Sequence, residues 1–276
     1  MPPVRANGAE IPALGLGTWR LEGEDCARIV AGALAQGYRH VDTAAMYGNE
    51  EAVGEGLRAS GLARDEVFVT TKVWYEDIRP GDLERSAEAS LKRLGLDQVD
   101  LLLIHWPNPD VPVAESVRAL AEAGRRGLAR HVGVSNFTAA MVDEAVAASS
   151  EPLVVNQCEY HPYLDQAKVL AACRRHGLAF TSYSPLGRGD LLADATVGAI
   201  AAAHGRSPAQ VILRWHVQQA GVVAIPKSGN LERIGQNLAI GDFALTDAEM
   251  QRMHALARPE GRLVSPSFAP AWDEAA

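Results

Sequence analysis

Short runs of apolar and β-branched residues recur along the chain, each flanked by a longer segment with helical character. Eight of these runs are predicted strands: LGLGT at 14–18, RHVDTA at 39–44, VFVTTK at 67–72, DLLLIH at 100–105, HVGVS at 131–135, VVNQ at 154–157, AFTSY at 179–183 and VVAIPK at 222–227. Eight alternating strand and helix units in 276 residues predict an α/β protein, a (β/α)8 TIM barrel.

Capping residues support the helices between these strands. Three helical segments end at Gly37, Gly95 and Gly177, and glycine is favoured directly after a helix. Ser207, followed by proline, predicts the start of another helix, and TDAE from Thr246 matches a capping box. These signals place helix boundaries where the barrel interpretation requires them.

Residues 1–276 are predicted to form a single domain, because no linker rich in proline or serine divides them. Asn7 and Gly8 separate the short runs VRA and AEIPAL, and this dipeptide predicts a β-hairpin that closes the barrel floor. A doubly wound fold is the weaker interpretation. It requires a third glycine after the first strand, where GLGTWR has arginine.

Composition narrows the environment in which the protein works. The net charge of −8 and the pI near 5.5 argue against binding to nucleic acid or to an anionic membrane. An odd number of cysteines without a CxxC motif predicts reduced, buried thiols at Cys26, Cys158 and Cys173. Because the N-terminus lacks a signal peptide and apolar runs are short, we expect a cytoplasmic protein.

Each predicted strand ends in a polar residue, and in this fold the carboxyl ends of the strands carry the chemistry. The eight residues are Thr18, Asp42, Lys72, His105, Ser135, Gln157, Tyr183 and Lys227. Residues that are remote in the sequence would therefore meet around one mouth of the barrel.

Tyr47 follows Asp42 closely, and the next two strands bring Lys72 and His105 beside it. A lysine ammonium near a phenol lowers the pKa of the phenol, and a carboxylate on the other side of the lysine keeps the lysine charged. A histidine opposite the tyrosine would add a second hydrogen-bond donor to a carbonyl oxygen. The four residues together predict a general acid for an oxygen that gains negative charge.

The segments GYRHVDTAAMYGNE, VGVSNF, VNQCEYHP and IPKSGNLERIGQN match signature segments of the aldo-keto reductase family. The chain resembles that family from GLGTW at residue 15 to at least Phe243, and within it bacterial members of the diketogluconate reductase type. The resemblance implies NADPH-dependent reduction of aldehyde or ketone carbonyls to alcohols. It assigns the catalytic tetrad to Asp42, Tyr47, Lys72 and His105, with Tyr47 as the general acid.

The resemblance also implies a cofactor site along the strand ends. It includes Thr18, Trp19 and Asp42, for which no particular contact is implied. The other residues and their implied contacts are Ser135, Asn136 and Gln157 on the nicotinamide carboxamide; Tyr183 stacked on the nicotinamide ring; Ser184, Leu186 and Gly187 along the pyrophosphate; Lys227, Ser228 and Arg233 on the 2'-phosphate; and Gln236 and Asn237 on adenine. A lysine and an arginine six residues apart can wrap one dianion, so NADPH is preferred over NADH, and no metal is required.

The family's substrate pocket maps onto Trp19, Tyr47, Trp74, His105 and Trp106. The segments after the fourth and seventh strands and the tail after Arg262 are short, which predicts a shallow, open pocket suited to small polar or dicarbonyl substrates. We expect a monomer with a small-molecule carbonyl compound as its partner.

Three other interpretations compete with this one. Asp42 and Lys72 could form a purely structural ion pair, as most such pairs do. A metal-dependent barrel is disfavoured, because the histidines have no metal-ligand spacing. A barrel that binds NADPH as a redox sensor or regulatory subunit would carry the same residues, and only turnover separates it from an enzyme.

Overall fold

Eight parallel strands form the wall of a barrel in the computed structural model, which describes residues 1–273 apart from the side chain of Arg188. The strands are β1 Val4–Ala6, β2 Ala9–Ile11, β3 Leu16–Gly17, β4 His40–Asp42, β5 Phe68–Val73, β6 Val99–Ile104, β7 Ala129–Ser135, β8 Leu153–Glu159, β9 Ala179–Tyr183 and β10 Val222–Ala224. From β3 to β10 each strand pairs in parallel with the next one in the sequence. The eight predicted strands and the barrel are confirmed.

Backbone hydrogen bonds join the first barrel strand to the last. Gly15 N donates to Ala224 O at 2.9 Å, and Gly17 N donates to Pro226 O at 3.0 Å. A Cβ atom on Gly17 would lie 2.8 Å from the carbonyl oxygen of Ile225, so only glycine permits this approach. The barrel therefore closes at the position where the sequence reads LGLGT.

Ten α-helices pack around the described part of the barrel. They are α1 Gly23–Ala35, α2 Glu50–Ala59, α3 Asp82–Leu94, α4 Val113–Arg125, α5 Ala139–Ala148, α6 Ala167–Arg175, α7 Ala195–His204, α8 Pro208–Gln218, α9 Leu231–Leu238 and α10 Asp247–His254. Gly95 is the C-cap of α3, and Gly37 and Gly177 follow the C-caps of α1 and α6; their φ angles are positive, at 68°, 108° and 71°. Ser207 and Thr246 both form capping boxes. The predicted caps are confirmed.

The N-terminal hairpin lies across the amino ends of the barrel strands. Asn7 and Gly8 form its turn with positive φ angles of 43° and 92°, as a two-residue turn with these residues requires. Ile11 is buried in one apolar cluster with Leu103 of the barrel wall. Asn7 Nδ2 donates to the carbonyl oxygen of Leu153, the first residue of β8, at 2.7 Å. The hairpin closes the barrel floor, as predicted, and leaves the opposite end open for a site.

The larger apolar cluster fills the layer between the strands and the helices. The three cysteines lie buried as free thiols, in agreement with the prediction from their number and spacing. Among the described residues, no helix is long and apolar enough to cross a membrane.

Candidate active site

Four polar side chains meet at the carboxyl ends of β4, β5 and β6. Asp42 and Lys72 lie on the first two strands, His105 follows the third, and Tyr47 lies in a short 3₁₀ helix just after β4. Lys72 Nζ lies 2.5 Å from Asp42 Oδ1 and donates to the carbonyl oxygen of Thr43 at 2.8 Å. The same nitrogen lies 3.4 Å from the hydroxyl oxygen of Tyr47. The structure thus brings together all four residues of the predicted tetrad.

The ion pair between Asp42 and Lys72 is fully enclosed by protein. The side chains are 2% and 0% exposed, and the second carboxylate oxygen of Asp42 accepts a hydrogen bond from Gln157 Nε2 at 2.7 Å. A buried ion pair adds little net stability, because desolvation of the two charges offsets their attraction. A purely structural role therefore explains this pair poorly. The contact with the Tyr47 hydroxyl lets the charge of Lys72 act on that hydroxyl.

Burial and the neighbouring charges set the protonation of this group. Burial raises the pKa of Tyr47 above its ordinary value, and the positive charge of Lys72 only partly opposes that rise. Burial lowers the pKa of Lys72, but Asp42 and Tyr47 together raise it by more, so the lysine stays charged. We expected Lys72 to lower the pKa of Tyr47 overall, and desolvation outweighs it. Tyr47 is therefore protonated at neutral pH, as a proton donor must be.

His105 faces Tyr47 across the mouth of the barrel. Burial, followed by the charge of Lys72, lowers the pKa of His105 well below its ordinary value, so the ring is neutral at neutral pH. The rings of His105 and Tyr47 meet edge to face at 5.6 Å, and Trp74 packs against the other side of the histidine at 5.2 Å. A neutral imidazole carries one N–H donor. His105 can therefore offer a hydrogen bond without a charge.

A cavity of about 270 Å³ opens above these residues. Many of the predicted site residues line it: Thr18, Trp19, Asp42, Tyr47, His105, Trp106, Asn136, Gln157, Tyr183, Ser184 and Lys227. A larger and more open groove of about 450 Å³ lies beside it, against Met46, Trp74 and Arg93, but contains none of the tetrad. The smaller cavity is the candidate active site because it contacts the reactive groups.

Hydrogen bonds connect the strand ends on the cofactor side of the cavity. Asn136 Nδ2 donates to the carbonyl oxygen of His105 at 2.9 Å, and the Tyr183 hydroxyl donates to Asn136 Oδ1 at 2.8 Å. The Ser135 hydroxyl donates to the carbonyl oxygen of Gln157 at 2.8 Å and is buried below the cavity surface. These contacts hold the expected carboxamide partners at fixed positions.

Backbone strain is concentrated at the same mouth. Among the described residues, four that are not glycine have left-handed φ angles: Asn7 in the hairpin turn, and Arg20, Asn136 and Ser184 at 63°, 63° and 50°. The last three all line the cavity. Such conformations are costly and persist where the surrounding structure fixes them, often at functional sites. The strain supports the choice of this cavity over the neighbouring groove.

The residues expected to bind the adenosine end lie beyond the cavity, after β10. Lys227 and Arg233 are exposed, and their side chains form no ion pair within the described residues. Ser228 Oγ accepts from the backbone N–H of Asn230, which caps α9. Among the remaining predicted contacts, Gln236 is exposed and Asn237 is buried, both on α9. Leu186 lies after β9, and Gly187 begins the 3₁₀ helix that follows.

Aromatic side chains enclose the substrate side. Trp19 and Trp106 line the cavity, whereas Trp74 lies behind His105. Phe268 was not predicted as a site residue. Its ring stacks on Tyr75 at 4.0 Å and meets Trp74 and Trp106 edge to face at 5.6 and 5.8 Å. The tail adds Val264 to the cavity lining and packs Phe268 against Trp106, whereas the predicted shallow, open pocket stays a prediction. Phe268 and Trp272 lie four residues apart in a chain with few aromatic residues, and this spacing could have indicated that the tail packs against the site.

No group of three or more histidine, cysteine or acidic side chains is placed to hold a metal ion within residues 1–273.

The Aldo/keto reductase family model matches residues 13–258. The chain belongs to the aldo/keto reductase family. It is 44% identical over 267 residues to methylglyoxal reductase DkgB of Salmonella typhimurium, covering 95% of this chain and 99% of that protein. A protein assigned as a 2,5-diketo-D-gluconic acid reductase B superposes with a TM-score of 0.97 at 49% identity, covering 99% and 98% of the two chains.

An NADP complex of a Bombyx mori aldo-keto reductase superposes with a TM-score of 0.89 at 35% identity, covering 96% and 95% of the two chains. This aldo/keto reductase is accordingly an oxidoreductase that reduces aldehyde or ketone carbonyls to alcohols.

Proposed function

We propose that this enzyme reduces small aldehydes and α-dicarbonyl compounds with NADPH, and that Tyr47 donates the proton. The contact of Lys72 Nζ with both Asp42 and the Tyr47 hydroxyl carries the proposal, since it pairs a protonated donor with a buried positive charge. The names of two relatives, a methylglyoxal reductase and a diketogluconic acid reductase, support dicarbonyl substrates for this chain.

The residues fit a bound NADPH. Asn136 and Gln157 offer amide groups to a carboxamide, and Tyr183 offers a ring face beside them. Lys227 and Arg233 lack ion-pair partners in the described chain, so their charges are available to the 2'-phosphate, and the partial positive charge at the start of α9 adds to them. When bound, NADPH supplies the hydride for the carbonyl carbon.

The side chains of the tetrad then bind and protonate the carbonyl oxygen. The hydroxyl of Tyr47 and the neutral ring of His105 hold the oxygen between two donors, and Tyr47 transfers its proton as the oxygen gains negative charge. The charge of Lys72 stabilises the phenolate that remains, and Asp42 keeps Lys72 charged and oriented. Trp106 and Trp19 limit the access of water to the reacting atoms.

The test is NADPH oxidation, followed by absorbance, against a panel of carbonyl compounds. Methylglyoxal and other α-dicarbonyls should turn over, unactivated ketones should react slowly, and NADH should support at least about tenfold lower kcat/KM. Tyr47→Phe is the matched control, because it keeps the ring and removes the proton. Tight NADPH binding without turnover of any panel member would favour the regulatory barrel instead.

A further inference from the structure

Glu159 is a buried carboxylate that the proposed reaction does not use. It is the last residue of β8, two positions after Gln157, and is fully buried. It has no lysine or arginine partner among the described residues. Its Oε1 accepts from the backbone N–H of Leu263 at 2.7 Å, and its Oε2 accepts from that of Val264 at 2.9 Å. His161 Nε2 lies 3.1 Å from Oε1.

The two backbone donors belong to the C-terminal tail, the segment from Arg262 to Asp273. This segment contains no helix or strand, so only a few specific contacts hold it. At its far end, Asp273 accepts from the backbone N–H of Ala139 at 2.9 Å. At its near end the carboxylate of Glu159 holds two consecutive N–H groups, and hydrogen bonds to a charged acceptor are stronger than neutral ones.

The tail forms part of the wall of the active-site cavity. Val264 lines the cavity directly, and Phe268 packs between Tyr75 and Trp106. On its other side, Glu159 is the register partner of Tyr183 in β9, the residue expected beside the nicotinamide. Glu159 therefore lies between the wall that faces the cofactor and the wall that faces the substrate.

We propose that Glu159 is a positioning residue: it fixes the tail as a wall of the pocket and sets the affinity for substrates large enough to contact Val264 and Trp106, against which Phe268 packs. Burying a carboxylate is costly unless donors satisfy it, and the donors here come mainly from the tail. Undocking the tail would remove both backbone donors and leave the carboxylate with the His161 contact, so the position of the tail depends on this one side chain. The effect on substrate affinity rests on the proposed function, whereas the docking of the tail does not.

The kinetic test uses Glu159→Gln, which keeps the shape and one acceptor but removes the charge. KM for an aromatic aldehyde should rise about tenfold, while kcat, the NADPH dissociation constant and KM for methylglyoxal change by less than about twofold. Asp100→Asn is the control for loss of a buried carboxylate far from the tail. Asp100 also accepts a backbone N–H, from Val69 at 2.9 Å, but it lies near the barrel floor and, unlike Glu159, is ion-paired with Arg64 and Arg130. Equal changes in KM for both aldehydes with Glu159→Gln would overturn the proposal.

A second readout needs no turnover. Trypsin cleavage after Arg262 would release the tail, and mass spectrometry of the native protein measures its rate. Glu159→Gln should speed this cleavage at least about tenfold relative to wild type and to Asp100→Asn, because loss of the anchor raises the population of the undocked tail. An unchanged cleavage rate would overturn the proposal. If the wild-type protein reduces no carbonyl but Glu159→Gln still accelerates cleavage, the proposed function is wrong and the role of Glu159 in docking the tail is supported.

A double-mutant cycle tests whether Glu159 acts through the tail. Phe268→Ala removes the aromatic contact of the tail, so combining it with Glu159→Gln should raise KM for the aromatic aldehyde little beyond either change alone. Fully additive effects would show that Glu159 acts elsewhere. Should Glu159→Gln fail to fold, Val264→Pro removes one of the two donors from the tail instead and should give the same cleavage and KM shifts.

Discussion

Replacing Lys72 with methionine tests how the buried charge serves the reaction, because methionine fills similar space without the ammonium group. In the structure Lys72 Nζ lies 2.5 Å from Asp42, 2.8 Å from the carbonyl oxygen of Thr43 and 3.4 Å from the Tyr47 hydroxyl. The variant leaves Asp42 buried with Gln157 as its one remaining side-chain donor. Removing one partner of a buried pair costs about 3–5 kcal/mol, and we expect the free energy of unfolding to fall by that amount.

The expected loss of turnover follows from the distance to Tyr47. A unit charge about 4 Å from a developing phenolate, at an effective dielectric constant of about 20, contributes roughly 4 kcal/mol. Since about 1.4 kcal/mol is tenfold in rate, kcat should fall between roughly tenfold and a thousandfold. The loss should be the same for neutral and anionic aldehydes, because the charge acts on the proton donor and not on the substrate.

Two assays separate stability from catalysis. Urea unfolding gives the stability of each variant, and single-turnover oxidation of bound NADPH gives the chemical step. Asp42→Asn combined with Lys72→Met removes both charges, so it should recover much of the stability lost in Lys72→Met but none of the turnover. A loss confined to anionic substrates would make Lys72 a substrate-binding residue and refute the reasoning.

Three further predictions concern pH, cofactor choice and the tail. The lowered pKa of His105 and the raised pKa of Tyr47 predict a flat kcat/KM for reduction from about pH 6.5 to about pH 9, and an inflection near pH 6.5 would mean that His105 titrates there. Because the pKa of His105 is lower in the folded protein than in the unfolded chain, protonation of His105 favours unfolding. The free energy of unfolding should therefore be unaffected by His105 above its unfolded pKa of about 6.5 and should fall as the pH drops below it, which urea unfolding at each pH measures. Arg233→Ala should raise the NADPH dissociation constant at least about tenfold more than that of NADH, measured by quenching of tryptophan fluorescence, and equal weakening would place Arg233 on adenine alone. Phe268→Ala should raise KM for aromatic aldehydes several-fold with kcat nearly unchanged, and an unchanged KM would remove Phe268 from the substrate wall.

The barrel could be predicted from the sequence because the hydrophobic pattern and the polar strand ends agree. Asp42, Lys72 and His105 each close an apolar run, and a parallel barrel brings such ends to one mouth. The hairpin could also be predicted from the sequence, because Asn7 and Gly8 tolerate the left-handed backbone that its turn requires. Local chemistry and overall fold point the same way at these positions.

Other features depend on three-dimensional contacts that no local pattern encodes. The net shift of the Tyr47 pKa is a balance between burial and the charge of Lys72, and the sequence reveals the charge but not the degree of burial. The tail has no periodicity, so its return over Trp106 by way of Phe268 was not predicted. Glu159 ends a buried strand like the other site residues, but its two partners in the tail are backbone N–H groups, which carry no sequence signature.

The transfer of a proton from Tyr47 is the central claim, and single-turnover kinetics of Tyr47→Phe test it most directly. The variant is saturated with NADPH, mixed with methylglyoxal, and followed by loss of cofactor fluorescence. A positioned general acid contributes a factor of about 10²–10⁴, so the rate should fall by that factor while the NADPH dissociation constant changes by less than about twofold. A variant that retains more than about a tenth of the wild-type rate would contradict the assignment of Tyr47 as the proton donor.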